Sequence, residues 1–290
     1  MTFFNIFSTM QNTAMIPFWS VVLFIFGLCV GSFLNVCIWR IPRNESIVVT
    51  PSHCPKCNKK IKWYENIPVI SWLTLRGKCS GCSERISYGY ALVELITGVL
   101  FAVSYMRIMA LHYPISMLTP YLLASSMFVT TFVIDYKFKI IPNKITYFII
   151  IVSLCVGTLF PGSVNRLTHL AGFINSFLGF LIALCIFWAI SVLGKVLYKR
   201  DAFGMGDVKF LAALGACFGL FPAVWFFVII VASFMGLIFG VSLMIFKRKR
   251  LTYEIPFGPF LAAAGCLWIL YGPEITVYYF KLNYLVIRGW

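Results

Sequence analysis

The chain has 290 residues, of which 61% are hydrophobic and only 11% charged, and its 24 Lys and Arg outnumber its 9 Asp and Glu. Soluble domains carry roughly a quarter charged residues, so this composition excludes an ordinary soluble protein and points to a chain built within a lipid bilayer. The net charge of +15 raises the question of a nucleic-acid partner, and the distribution of the basic residues answers it in favour of membrane topology.

In chain order, apolar runs between polar breaks predict helices over 18–38, 91–111, 115–134, 145–161, 167–195, 208–221, 223–246 and 256–272. Phe18–Cys37, Ala91–Leu111 and Ala223–Phe246 reach the ~18 to 25 residues that a helix needs to cross the hydrocarbon. The first Lys or Arg is Arg40, so the first run lacks the positive charge that opens a secretory signal and reads as a retained anchor with its N-terminus translocated. The segments 39–90, 135–144, 195–209 and 247–255 then face the cytoplasm, with nine, three, four and four of the 24 basic residues respectively. That bias is the positive-inside rule. It accounts for the net charge without nucleic acid, and it leaves Lys247–Arg250 to meet anionic lipid headgroups. With no internal repeat and no low-complexity linker, the expected fold is an all-α polytopic membrane protein of about eight transmembrane helices. It divides into an N-terminal segment with the first helix (1–38), a polar cytoplasmic insertion (39–90) and a polytopic membrane domain (91–290).

The insertion carries the most specific spacing. Six of the ten cysteines, Cys29, Cys37, Cys155, Cys185, Cys217 and Cys266, stand singly in apolar runs, where cysteine acts as a small hydrophobe. The other four form Cys54-Pro-Lys-Cys57 and Cys79-Ser-Gly-Cys82, two CxxC knuckles with 21 residues between them. Each knuckle presents two thiolates from one turn, and two knuckles complete a closed tetrahedral zinc site in a segment too small to build its own core. The alternatives are paired disulfides, disfavoured in a reducing cytosol, or redox-active CxxC pairs.

Only three aspartates occur. Asp135 follows the apolar run Met127–Ile134, Asp207 follows Gly204-Met-Gly206, and Asp201 lies beside Lys199 and Arg200 as a surface charge. On the expected topology Asp135 and Asp207 share the cytoplasmic face. Two carboxylates brought within a few ångströms hold one proton between them, so one acts as base and the other as acid in hydrolysing a peptide bond. Gly204 and Gly206, lacking Cβ, suit unusual backbone angles and close approach of a substrate backbone. Spacing alone also allows Asp207 as a helix N-cap and Asp135 as a helix-end carboxylate paired with Lys137 or Lys139.

With these residues in view, the chain resembles the bacterial prepilin peptidases, or type IV leader peptidases, of the GxGD aspartic protease group. The resemblance rests on six ordered segments: Gly31-Ser-Phe-Leu-Asn-Val36; the stretch from Cys54 to Ser87 with Trp63-Tyr-Glu-Asn-Ile-Pro68; Asp135 to Pro142; Gly204-Met-Gly-Asp207-Val-Lys209; and Ile255-Pro-Phe-Gly-Pro-Phe260, with Arg40-Ile-Pro42 after the first. It implies that Asp135 and Asp207 are the catalytic pair with Gly204, Gly206 and Lys209 supporting the loop, and that Cys54, Cys57, Cys79 and Cys82 bind structural zinc. It also implies a location in the bacterial inner membrane and, as substrates, prepilins or pseudopilins of type IV pili or type II secretion, cut after a glycine. Members with the four cysteines commonly also N-methylate the new N-terminal residue, usually Phe, from S-adenosylmethionine. No dinucleotide-type fingerprint places that donor. Two positions depart from the family pattern: Tyr90-Ala91 stands in place of Tyr-Pro, and Pro142-Asn143 in place of Pro-Asp. Glu94, one turn inside the second helix, faces either the active-site cavity or the headgroups. Other classes weighed are a peptidase without methyl transfer, a zinc-ribbon scaffold of a pilus or secretion assembly, and a transporter with proton-carrying aspartates, which midplane placement and repeated halves would favour.

Overall fold

A computed structural model describes residues 13–49, 51–164, 166–199, 204–247 and 255–287. Asp201, most of the Lys247–Arg250 run and the first 12 residues of the N-terminal segment lie outside them. Among the described residues the secondary structure is helical, with two isolated β-bridges, His53 to Lys60 and Lys78 to Arg85, in place of strands. The long helices are α1 (Ile16–Arg40), α3 (Tyr88–Ala110), α4 (Leu118–Phe138), α5 (Asn143–Leu159), α6 (His169–Tyr198), α7 (Met205–Phe218), α8 (Pro222–Lys247) and α9 (Gly258–Ile287), and a short helix, α2 (Ile70–Thr74), lies in the polar insertion with 3-10 turns at Ile41–Arg43 and Trp63–Asn66. The chain divides into two compact units, Met1–Thr130 and Thr131–Trp290, with the boundary inside α4.

In the first unit α1 and α3 pack along their length, and small residues are the reason. A Cβ placed on Gly27 would stand 2.7 Å from Cα of Gly98, and one on Gly31 would stand 2.6 Å from Cα of Glu94. Within lipid, where the hydrophobic effect does not drive helices together, such backbone contact supplies the van der Waals attraction. Leu23, Tyr105, Ile108 and Leu118 form a buried cluster beside it, to which α4 contributes its first residue.

In the second unit α7 packs against α5 and α6, while α9 packs against α8 and α7. Gly179 of α6 meets the carbonyl of Gly215 on α7, and Gly157 of α5 meets the Ser176 side chain of α6. Val208, Phe210, Leu211, Ala212, Ala213, Leu214, Gly215 and Ala216 are all buried, so α7 is enclosed on nearly every side.

Among the described residues, five segments are long and apolar enough to cross a membrane: Thr13–Arg43, Tyr88–Ala110, Ile115–Phe138, Pro161–Leu197 and Val224–Phe246. The other three expected spans, seen as α5, α7 and α9, fall outside those five. Asn143–Leu159 and Gly258–Gly272 are short apolar helices. At 14 residues, α7 rises only about 21 Å at ~1.5 Å per residue, less than the ~30 Å hydrocarbon, and it behaves as an internal core helix. The last helix, by contrast, continues past the expected end at 272 to Ile287.

A candidate aspartic protease site and a four-cysteine centre

Asp135 and Asp207 both belong to the second unit. Asp135 lies in the last turn of α4, and the helix ends one turn later where Lys139 turns left-handed (φ 54°) and donates its N–H to the Asp135 carbonyl at 2.8 Å. The apolar run that precedes Asp135 therefore carries it to a helix end while leaving it buried, at 5% exposure. Its Oδ2 has no hydrogen-bond partner among the described residues. The remaining residues to Pro142 lead into α5, which Pro142 caps without a side-chain bond.

Asp207 is not the N-cap that its place after glycine suggested. Gly204 is the cap, and Asp207 is the third residue of α7, from where its carboxylate reaches back to the Gly204 backbone N–H. This is the reach-back half of a capping box. Burial foremost, and then the charge of nearby Asp135, push the Asp207 carboxyl up from 3.8 to about 6, against the opposing pull of the Gly204 N–H. The charge of Asp135 thus favours the protonated form of Asp207.

The glycines act otherwise than expected from their conformational freedom. Gly204 has ordinary extended angles, φ −62° and ψ 143°, and Gly206 is helical. Missing bulk matters at Gly204, where a Cβ would lie 3.3 Å from Asp207 Oδ2, whereas one on Gly206 would meet Cβ of Ile141 at an ordinary 3.5 Å. Lys209 donates from Nζ to Oδ1 of Asn143 at 2.9 Å, so the amide standing where the family pattern has an aspartate holds α7 to the start of α5.

Two residues at this site escaped the sequence reading. Gly258, the first residue of α9, directs its backbone N–H at the Asp135 carboxyl group. Ile141 lies between Gly206 and Gly258, against both. The only signal for either was membership in a motif, because a glycine and an isoleucine carry no chemistry that spacing can flag.

Glu94 has a different setting, in the first unit. Its carboxylate is buried at 9% exposure and accepts the Val69 backbone N–H at 2.8 Å, with Ser32 and Asn35 of α1 also bonding to it. Val69 has φ 59°, a costly conformation for a β-branched residue, and the buried carboxylate holds it there.

The four cysteines of the insertion converge, with all four Sγ atoms within 4.8 Å of one another. Cys54 and Cys82 are 3.8 Å apart and Cys57 and Cys79 are 3.9 Å apart, and all four are free of disulfides. A metal with ~2.3 Å bonds to sulfur places tetrahedral ligands about 3.8 Å from each other, so the cluster fits such an ion, whereas a disulfide would need about 2.05 Å. Backbone N–H groups of Cys82 and Gly81 pull the Cys79 thiol below its ordinary value. Outside the cluster, Lys59 Nζ donates to Ser80 Oγ at 2.7 Å and Ser80 donates to Glu65 Oε1 at 2.5 Å, lacing the two knuckles together.

Comparisons with known proteins agree with this arrangement. Residues 25–108 match the model of the bacterial peptidase A24 N-terminal domain, and residues 121–241 match the type IV leader peptidase family. A prepilin leader peptidase/N-methyltransferase of Aeromonas salmonicida (strain A449) is 34% identical over 286 residues, covering 89% of this chain and 92% of the relative. Proteins of the same name from Dichelobacter nodosus and Bacillus subtilis (strain 168) are 34% and 33% identical, covering 87% and 90% of this chain and 91% and 98% of those relatives. No solved structure matches the chain. The two family models and these relatives, each at least 33% identical over most of both chains, place the chain in the type IV leader peptidase family.

Proposed function

We propose that the chain is a membrane aspartic endopeptidase that removes the basic leader of type IV prepilins or pseudopilins after a glycine, and that it then N-methylates the newly exposed residue. The observation that carries this reading is the convergence of Asp135 and Asp207 in one unit, with the proton of Asp207 retained to about pH 6. The ionised carboxylate takes a proton from a water molecule as its oxygen attacks the scissile carbonyl. The protonated partner donates a hydrogen bond to the carbonyl oxygen and then passes its proton to the leaving amine. Gly204 and Gly206 leave room for a substrate backbone, and Lys209 with Asn143 fixes the Asp207 loop.

Methyl transfer consumes S-adenosylmethionine as co-substrate, and it is supported by the names of the relatives. Cys54, Cys57, Cys79 and Cys82 would hold a structural Zn2+, which supplies cross-linking and no open coordination position. The reading places the protein in the inner membrane with its N-terminus outside and with the cysteine segment and both aspartates on the cytoplasmic side.

Co-expression with a prepilin tests the assignment. Asp135→Asn and Asp207→Asn should each abolish leader removal while the protein accumulates normally, and cleavage retained by either variant would remove it from the catalytic pair. Mass spectrometry of the processed pilin reports the cut position and the added methyl group in one spectrum. An uncut substrate with the unaltered chain would leave a zinc-bearing membrane scaffold as the reading.

A further inference from the structure

The end of α9 that meets Asp135 has no room for a side chain. A Cβ built on Gly258 would stand 2.5 Å from Asp135 Oδ2, 3.1 Å from its Cγ and 2.9 Å from Cδ1 of Ile141. Contacts under about 3 Å require something to move, and the choices are few. Asp135 is 5% exposed and cannot turn out to solvent. Relief would therefore come from rotating the carboxylate, the group on which hydrolysis depends.

We propose that Gly258 is a positioning residue for peptide hydrolysis: its missing side chain lets the first turn of α9 close on Asp135 and sets the direction in which Oδ2 points. The inference rests on the reading of Asp135 as catalytic. Gly258 touches neither substrate nor water in this account and acts only through the carboxylate. A carboxylate that activates water must hold it on the line of attack, and displacement by about 1 Å costs on the order of 10²-fold in rate. Oδ2, which has no hydrogen-bond partner among the described residues, is the oxygen whose direction this contact governs.

The test uses the full chain in detergent with a purified prepilin. Gly258→Ala should lower kcat by about 100-fold and leave KM within about twofold, because the substrate still binds a site whose carboxylate is turned. Combining it with Ile141→Val, which removes the isoleucine Cδ1, should not recover the loss relative to Ile141→Val alone. Cleavage by Gly258→Ala within about threefold of the unaltered chain would overturn the proposal. So would recovery in the double variant, which would mark the defect as ordinary packing against Ile141. If Gly258→Ala fails to accumulate, Asp135→Ala in the same chain should restore accumulation by removing the carboxylate that the methyl group strikes, and failure to restore it would also overturn the contact. An unaltered chain that does not cut prepilin refutes the proposed function instead, a result distinct from any of these.

Discussion

A half-buried carboxylate has consequences for stability that can be measured apart from catalysis. Asp207 has an ordinary value of 3.8 and a folded value of about 6, so the folded state favours its neutral form. The folded protein gains fully from the neutral group below about pH 4, and the gain is lost as pH rises through 6. Replacing it by Asn should therefore leave thermal stability in detergent unchanged near pH 4 and raise it above pH 6, by on the order of 2 kcal/mol. Parallel melting profiles for the two proteins from pH 4 to 8 would show that the carboxyl is not held neutral by its surroundings. At this scale the three aspartates were conspicuous in the sequence because apolar segments tolerate few charges. The sequence could not decide between cap and catalyst for Asp207, since N-cap and N3 positions differ by the path of the backbone at Gly204.

Among the elements, the cysteine insertion has the sharpest dependence on one feature. Among its described residues it has two β-bridges, one five-residue α-helix and two 3-10 turns, too little structure to bury a core, and exposes Trp63 at 82%. Zinc would then supply much of its folding energy. Protein purified without chelator should contain about one zinc per chain, and the Cys54→Ser, Cys79→Ser double variant should lose the metal and melt at lower temperature. Metal analysis that finds no zinc in the unaltered protein would set aside the four-thiolate reading. Glu65 belongs to the same lacing: the Ser80 hydroxyl, then the Lys62 backbone N–H, hold its carboxyl down at about 2. The CxxC spacing announced the four ligands because one turn of backbone determines each pair. The lacing by Lys59, Ser80 and Glu65 was not legible, because it joins side chains that only the closed cluster brings together. Helix positions were legible to within a few residues for α1, α3 and α4, where long apolar runs end in charges or turns. The length of α7 was legible but its position was not, because Leu220 and the residues after it continue the apolar run while Gly219, at φ 67°, ends the helix.

For the whole molecule, the basic residues make a prediction about orientation. Nine of the 24 lie in 39–90, against Arg107 and His112 near the opposite end of α3, so the insertion should remain cytoplasmic. An epitope inserted between His112 and Pro114 should be accessible to antibody in intact spheroplasts, and one placed in 39–90 only after lysis. The reverse pattern would invert the topology and put the aspartates on the wrong side for a cytoplasmic leader. By itself the sequence determined the membrane class, the helical architecture, the four thiols and the two aspartates, because apolar length, charge scarcity and CxxC spacing are local properties that survive without a fold. Only the tertiary structure decided that Asp207 sits at N3, that Glu94 is spent on the Val69 backbone, and that Gly258 and Ile141 border the catalytic candidate. Those facts depend on which backbones approach within a few ångströms across segments distant in the chain, and Gly258 meets Asp135 across more than a hundred residues, a distance over which no local pattern carries information.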